Sequence, residues 1–473
     1  MASRKAVSID NLKALGIERL ATLLLELAES DAEVRRRLKL ELTAEEGGAA
    51  VAAAIGKRLT ALRSARSFVD WRKTRELVRD LDLQRATITD RVAPTRPDLA
   101  LDLLWRFMDL AEPVLGRVDD SNGAVGGVFH QACDDLATVA AKAVSDPVSL
   151  ADRVLAAVRA DDYGFFDDLI KGILPALGEP GTKRLEARLT TALGETPVNA
   201  EGFDWPARKL RRALQQIADA RGDVDAWIAL IPPAEQASPH HATQIGQRLL
   251  AVGRAKEAVA ALEGAVPKRR AGRSDTDHPA LTMLETTEGG WEDVLIEALE
   301  ADGQKERAQQ LRWRGFERSL SVPRLRAFLK RLPDFEDFEA ERRARQQAFA
   351  HESFYSALHF FLEWPDHAEA ARLVRERRAE IDGNAYMLLD PGARQLESKY
   401  PLAATLLLRA MITDTLEGAK SSRYKHAARH LRECRSLAAS IPEHGAFETH
   451  ETFARQLRAK HGRKASFWEH VAD

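Results

Sequence analysis

Gly253-Arg254-Ala255-Lys256-Glu257-Ala258 and, 50 residues on, Gly303-Gln304-Lys305-Glu306-Arg307-Ala308 decide how this chain is read. In each stretch a glycine closes one amphipathic helix, and an alanine five residues later lies in the next. Glycine enters left-handed backbone at little cost, so it ends a helix and turns the chain. The small alanine lets two helices approach closely. Both stretches therefore read as corners of helical hairpins. Trp364-Pro365-Asp366-His367-Ala368 reads as a third corner, and Leu402–Thr413 followed by Arg423–Ala439 as a fourth pair. The repetition is degenerate. The 50-residue spacing departs from the 34-residue tetratricopeptide period, and the full Trp/Leu/Gly/Tyr pattern is missing. The expected fold class is all-α: a tetratricopeptide-like helical-hairpin array, an α-solenoid, preceded by an N-terminal helical lobe.

Helical period continues upstream. Leu12, Leu15, Leu20, Leu23, Leu24 and Leu27 form a stripe expected to be buried, with Ser8 or Asp10 as the cap. Gly178-Glu179-Pro180-Gly181 reads as a turn between helices. Pro232-Pro233 and Ser238-Pro239 place the boundary between a lobe at 1–235 and an array at 236–473. The stretch 267–287, with Lys268-Arg269-Arg270, reads as a solvated insertion.

Composition agrees with helices. The 473 residues are rich in Ala, Leu, Arg and Glu and poor in Ile, Tyr and Thr. Arginine outnumbers lysine 52 to 18, a bias that fits a GC-rich bacterial genome better than a chemical demand. The net charge of −2 gives no global field toward nucleic acid or anionic membrane. Cys133 and Cys434, the only cysteines, form no disulfide framework, which points to a reducing cytoplasm. No run of about eighteen apolar residues occurs, so no membrane span is expected. The first residues read as an amphipathic helix broken by charges rather than as a signal h-region.

Several segments together resemble an uncharacterised all-helical bacterial family, common in alphaproteobacteria and known only as a domain of unknown function. They are Leu23-Leu24-Leu25-Glu26-Leu27-Ala28, Ser67-Phe68-Val69-Asp70-Trp71, Leu104-Trp105-Arg106-Phe107, Arg117-Val118-Asp119-Asp120-Ser121, Asp162-Tyr163-Gly164 and Tyr424 through Trp468. The C-terminal part is also similar to the helical region beside the zinc module of SWIM zinc-finger proteins. That module needs Cys-x-Cys followed by Cys-x-His, and this chain has no Cys-x-Cys. The resemblance implies a fold and no activity.

No Walker motif, dinucleotide-binding glycine pattern, Gly-x-Ser-x-Gly or His-Glu-x-x-His is present. The loop Arg117, Asp119, Asp120, Ser121 is a candidate ligand site, since paired carboxylates beside an arginine bind cations or act as acid and base. The competing reading is structural: Asp120 or Ser121 caps the next helix and Arg117 pairs with an aspartate. His430 and Cys434 on one helix, with His450 and His461 on the next, form a candidate zinc set if the helices pack antiparallel. Against it, Cys434 reads as a small core residue and the histidines as bridges from core to solvent. Zinc is the one cofactor these residues would take; otherwise none is expected. His130, Cys133 and Asp134 read as structural. Phe349, Phe354, Tyr355, Phe360, Phe361 and Trp364 line either a core or a peptide groove, and Tyr355 with His359 shares one face.

From Lys420 to Lys464 eleven Lys/Arg face four Glu. Arg423, Lys425, Arg429, Arg432 and Arg435 lie on one predicted helix, and Arg455, Arg458, Lys460, Arg463 and Lys464 on the last. They form a basic surface on a closing helical pair, with Phe467-Trp468 folding back as a plug. The leading expectation is a cytoplasmic scaffold that binds a protein partner. Nucleic-acid association through the basic helices is the alternative, and a metal-binding or hydrolytic enzyme the third.

Overall fold

A computed structural model describes residues 7–45, 47–196, 205–265 and 287–472. The insertion read at 267–287 falls, apart from its last residue, outside them. Among the described residues every regular element is helical. An isolated bridge joins Val69 to Val118. The chain divides into two compact units, Met1–Pro232 and Pro233–Asp473.

The first unit is built around Pro97–Met108 and Ala124–Ala140, which pack on each other. Phe107 and Phe129 are fully buried, with ring centroids 5.4 Å apart. Each such side chain contributes about 1.5–3 kcal/mol of apolar burial. The helix Pro147–Ala160 starts where proline's missing amide costs nothing, and Asp146 accepts from the Ser149 amide at 2.9 Å. At Gly178 the backbone turns left-handed (φ 53°) inside the span Leu169–Glu195. This is the kink that Gly178-Glu179-Pro180-Gly181 predicts.

The N-terminal stripe is a correction. Gly16 (φ 83°) splits it into Ile9–Lys13 and Ile17–Ser30, with Ser8 capping the first. Leu12, Leu15, Leu24 and Leu27 are exposed, at 38, 48, 42 and 53 %. Ile17–Ser30 packs on Ala32–Ala44 and buries Ala28. Periodicity identifies the apolar face of a helix; it does not supply a neighbour to cover it.

In the second unit Gly253 (φ 76°) separates Pro239–Ala251 from Ala255–Glu263, and Gly303 (φ 79°) separates Thr287–Ala301 from Lys305–Ser319. Ala258 and Ala308 are fully buried at the two corners. The helices of each pair pack together, and the first helices of the two pairs pack on each other. The close approach is real: a Cβ on Gly246 would stand 2.8 Å from Leu262 Cδ1. After the helices Val322–Leu329 and Glu336–Ala350, Phe354–Glu363 packs with His367–Glu376, and Pro401–Glu417 packs on both Tyr386–Leu396 and Tyr424–Ala438.

Phe354, Phe360 and Phe361 are core residues here. The Tyr355 hydroxyl donates to the Glu380 carbonyl at 3.3 Å, which ties it to a neighbouring turn. His359 faces Glu363 at 3.7 Å. At the C-terminus Phe467 is fully buried against Tyr424, ring centroids 6.1 Å apart, and Trp468 Nε1 donates to the His461 carbonyl at 3.0 Å. The plug is present. No helix among the described residues is long and apolar enough to cross a membrane.

Candidate functional site

The densest polar chemistry lies where Tyr424–Ala438 meets Tyr386–Leu396 and Pro401–Glu417. His430, 5 % exposed, is held with Nε2 at 3.0 Å from Asp390 Oδ1. Arg429 donates to the same Asp390 oxygen at 3.0 Å, and Arg394 to the other at 2.8 Å. Glu433 lies one turn along from His430 and 3.4 Å from Arg429 Nε. Burial, then the Arg429 charge, lowers the His430 pKa below its ordinary value. Burial is also the main cause that raises Glu433.

Asp390, His430 and Glu433 each present a ligand atom, all within 4.8 Å of one another. Nitrogen and carboxylate donors of this kind suit zinc, manganese or iron(II). Two guanidinium groups already lie on the same carboxylates, so a cation here must displace Arg429. The cluster as it stands is a charge-matched network that joins two helices.

The predicted zinc set does not gather. Among the described residues no ligand group combines His430, Cys434, His450 and His461. His430 is on Asp390. Cys434 is fully buried with Sγ 3.9 Å from the Thr405 carbonyl, and burial pushes its thiol up to about 12. The His450 pKa is lowered by burial and then by Arg409, and that of His461 by burial and then by Lys464. The two helices do pack, yet their histidines face different surroundings. Cys133, in the first unit, is likewise buried and its thiol raised to about 12, while His130 meets the Phe165 ring edge-on at 5.0 Å.

The basic residues divide between structure and solvent. Arg423 donates to Asn384 at 2.9 Å and lies over the Tyr386 ring. Arg432 holds the His470 carbonyl, Arg458 lies 4.8 Å over Trp468, Lys464 reaches the Tyr424 hydroxyl at 3.3 Å and Lys460 pairs with Glu417. Lys425, Arg435, Arg455 and Arg463 are exposed.

The Arg117 loop is a cap. Asp120 accepts from the Val125 and Gly126 amides, both at 2.8 Å, at the start of Ala124–Ala140. Asp119 accepts from the Ser121 amide at 3.2 Å, and its hydrogen bonds to Ser121 hold its carboxyl below the usual range. Arg117 pairs with neither aspartate. Its Nη1 donates to the Ser67 carbonyl at 3.2 Å, since the bridge at Val69 carries that strand of chain past it.

Sequence reasoning missed Asp390, Glu433 and Arg409. Arg409 is 3 % exposed on Pro401–Glu417. A signal existed. Leu406-Leu407-Leu408-Arg409-Ala410-Met411-Ile412 is a continuous apolar run with one charge in the middle. A buried charge demands a partner.

The chain belongs to a family of unknown function, DUF6880, whose model matches residues 2–470. No curated protein and no solved structure matches it.

Proposed function

We propose that this chain is an interaction scaffold that takes a helix of a partner protein. The observation that carries the reading is the exposed apolar seam of Ile17–Ser30. Ile17, Leu20, Leu24 and Leu27 recur at intervals of three and four, the seam of two heptads. Ile17 is 87 % exposed. Ala21, exposed beside the seam, allows a second helix to approach closely. Such an apolar face marks a surface that a partner covers. The helix itself carries Glu18, Glu26 and Glu29 against Arg19, which disfavours an anionic membrane. The stacked pairs of the second unit support a tetratricopeptide-like array, because first helices of successive hairpins pack on each other.

The test is affinity capture of the full chain from native lysate, with and without nuclease, for the natural chain and for Leu24→Glu/Leu27→Glu. The expected result is one specific protein that survives nuclease and is lost in the double variant, whose thermal midpoint is unchanged. Capture of nucleic acid alone, through the exposed basic residues, or capture of the same protein by the double variant, overturns the reading.

A further inference from the structure

Arg409 is the only part of its apolar run that cannot be dehydrated without an electrical counterpart. Its Nη1 donates to the Glu448 carbonyl at 2.9 Å, and its guanidinium lies 4.7 Å over the Phe453 ring. Nε and Nη2 are buried and have no hydrogen-bond partner. Those two atoms form one edge of the guanidinium fork. The same edge elsewhere in this chain grips carboxylates with both nitrogens. Arg96 holds Asp98 at 3.0 and 2.7 Å, Arg184 holds Asp152 at 3.2 and 3.1 Å, and Arg377 holds Glu380 at 2.8 and 2.6 Å. At Arg409 the edge is intact, buried and unmatched.

The surroundings favour an anion. Glu448 precedes Thr449, the cap of His450–His461, so the guanidinium lies at the positive end of that helix. Arg378, over the Phe447 ring, adds a second positive charge that acts on Arg409, and Arg435 acts on His450. The Nδ1 atoms of His444 and His450 are also buried without partners. Glu448 and Glu451 are the acidic groups near enough to act on Arg409, and neither carboxylate reaches it as an ion pair among the described residues. Burial is the main cause that lowers the Arg409 pKa. A guanidinium nonetheless stays protonated in proteins. Titration therefore cannot remove the charge, and a buried ion without a counterpart is strongly destabilising.

We infer that the Nε–Nη2 edge of Arg409, with the first turn of His450–His461, binds the oxyanion of a carboxylate or phosphate group. A planar fork matches two oxygens of either group. The site lies in the second unit and is independent of the leucine seam in the first.

The experiment is thermal unfolding of the full chain titrated with sodium phosphate, with sodium acetate, and with sodium chloride at matched ionic strength. A saturable rise in the midpoint with phosphate or acetate beyond chloride is expected, since a ligand that binds only the folded state stabilises it by mass action. The stronger of the two arms identifies the source of the oxyanion. Arg409→Lys keeps the charge and removes the fork, and should weaken the apparent affinity at least tenfold. If Arg409→Lys does not fold, Arg378→Gln, at an exposed position, should weaken it severalfold. The inference is overturned if the natural chain shows no response beyond chloride, or if both variants respond as the natural chain does.

Discussion

His430 Nε2 and Asp390 Oδ1 stand 3.0 Å apart, and through them the Tyr424–Ala438 helix is fixed to Tyr386–Leu396. Burial depresses the His430 pKa below 6.5, as it does those of His450 and His461. In the unfolded chain each returns toward its ordinary value. Below that value the unfolded state binds more protons than the folded one, so stability falls with pH. The stability from neutral burial is complete above about pH 6.5 and is lost as pH drops through the depressed folded values. The thermal midpoint should be level from pH 8 to 7 and fall between pH 6.5 and 5, above the ordinary carboxylate range. His430→Asn should flatten part of that fall. A midpoint level down to pH 5 refutes the assignment.

Asp120 gives a second expectation. Its carboxylate accepts two first-turn amides of Ala124–Ala140, so Asp120→Ala should cost about 1 kcal/mol of stability. Asp119 bonds only within its own turn, and Asp119→Ala should change stability by less than about 0.5 kcal/mol. Urea unfolding of both variants measures the difference. Equal losses would contradict the capping role.

What the sequence made legible follows from range. The turns at Gly253 and Gly303 are local, so glycine chemistry alone locates them. The Asp120 cap is local too, and its spacing to the next helix was readable. Asp390 meets His430 across 40 residues, and Arg409 meets Glu448 across 39. No period or motif joins such pairs. The leucine stripe failed differently. Its helical period was right, but burial depends on a neighbour that the pattern does not contain. The histidines of the zinc set lay on the expected helices but in separate surroundings, and spacing along one helix does not fix what two helices bring together.

The two cysteines should be chemically silent. Both are buried, and the desolvated thiols are raised to about 12, so almost no thiolate exists at pH 8. A disulfide reagent at pH 8 should titrate no thiol rapidly in the native chain and two in denaturant. Rapid reaction of one thiol in the native chain would show that its helix opens.

Gly383 lies against the carbonyl of Ala410, with an ideal Cβ only 2.1 Å from that oxygen. Backbone cannot retreat as a side-chain tip can. Gly383→Ala should therefore force apart the turn and Pro401–Glu417, at a cost of about 1–3 kcal/mol. Gly127→Ala, with nothing within 4 Å of its Cβ, is the control and should be neutral or slightly stabilising. Thermal midpoints of the two variants decide the matter, and a tolerated Gly383→Ala would mean that the turn adjusts freely.

Glu292 tests how much a buried charge contributes in this fold. It is 5 % exposed and shared by Arg318, at 2.8 Å, and Arg324. Arg324 is itself largely buried and also reaches Asp293 at 3.0 Å. Removing the shared carboxylate leaves the largely buried Arg324 with Asp293 alone, while the half-exposed Arg318 turns to water, and Glu292→Ala should cost about 2 kcal/mol. The exposed pair Lys183–Glu179 should contribute under about 1 kcal/mol, because water screens it. A double-mutant cycle between Glu292 and Arg324 separates the pair from the desolvation of each partner. Its interaction energy should exceed that of Lys183 with Glu179. Equal energies would mean that water reaches Glu292 and that the helix Thr287–Ala301 is less firmly seated than its burial implies.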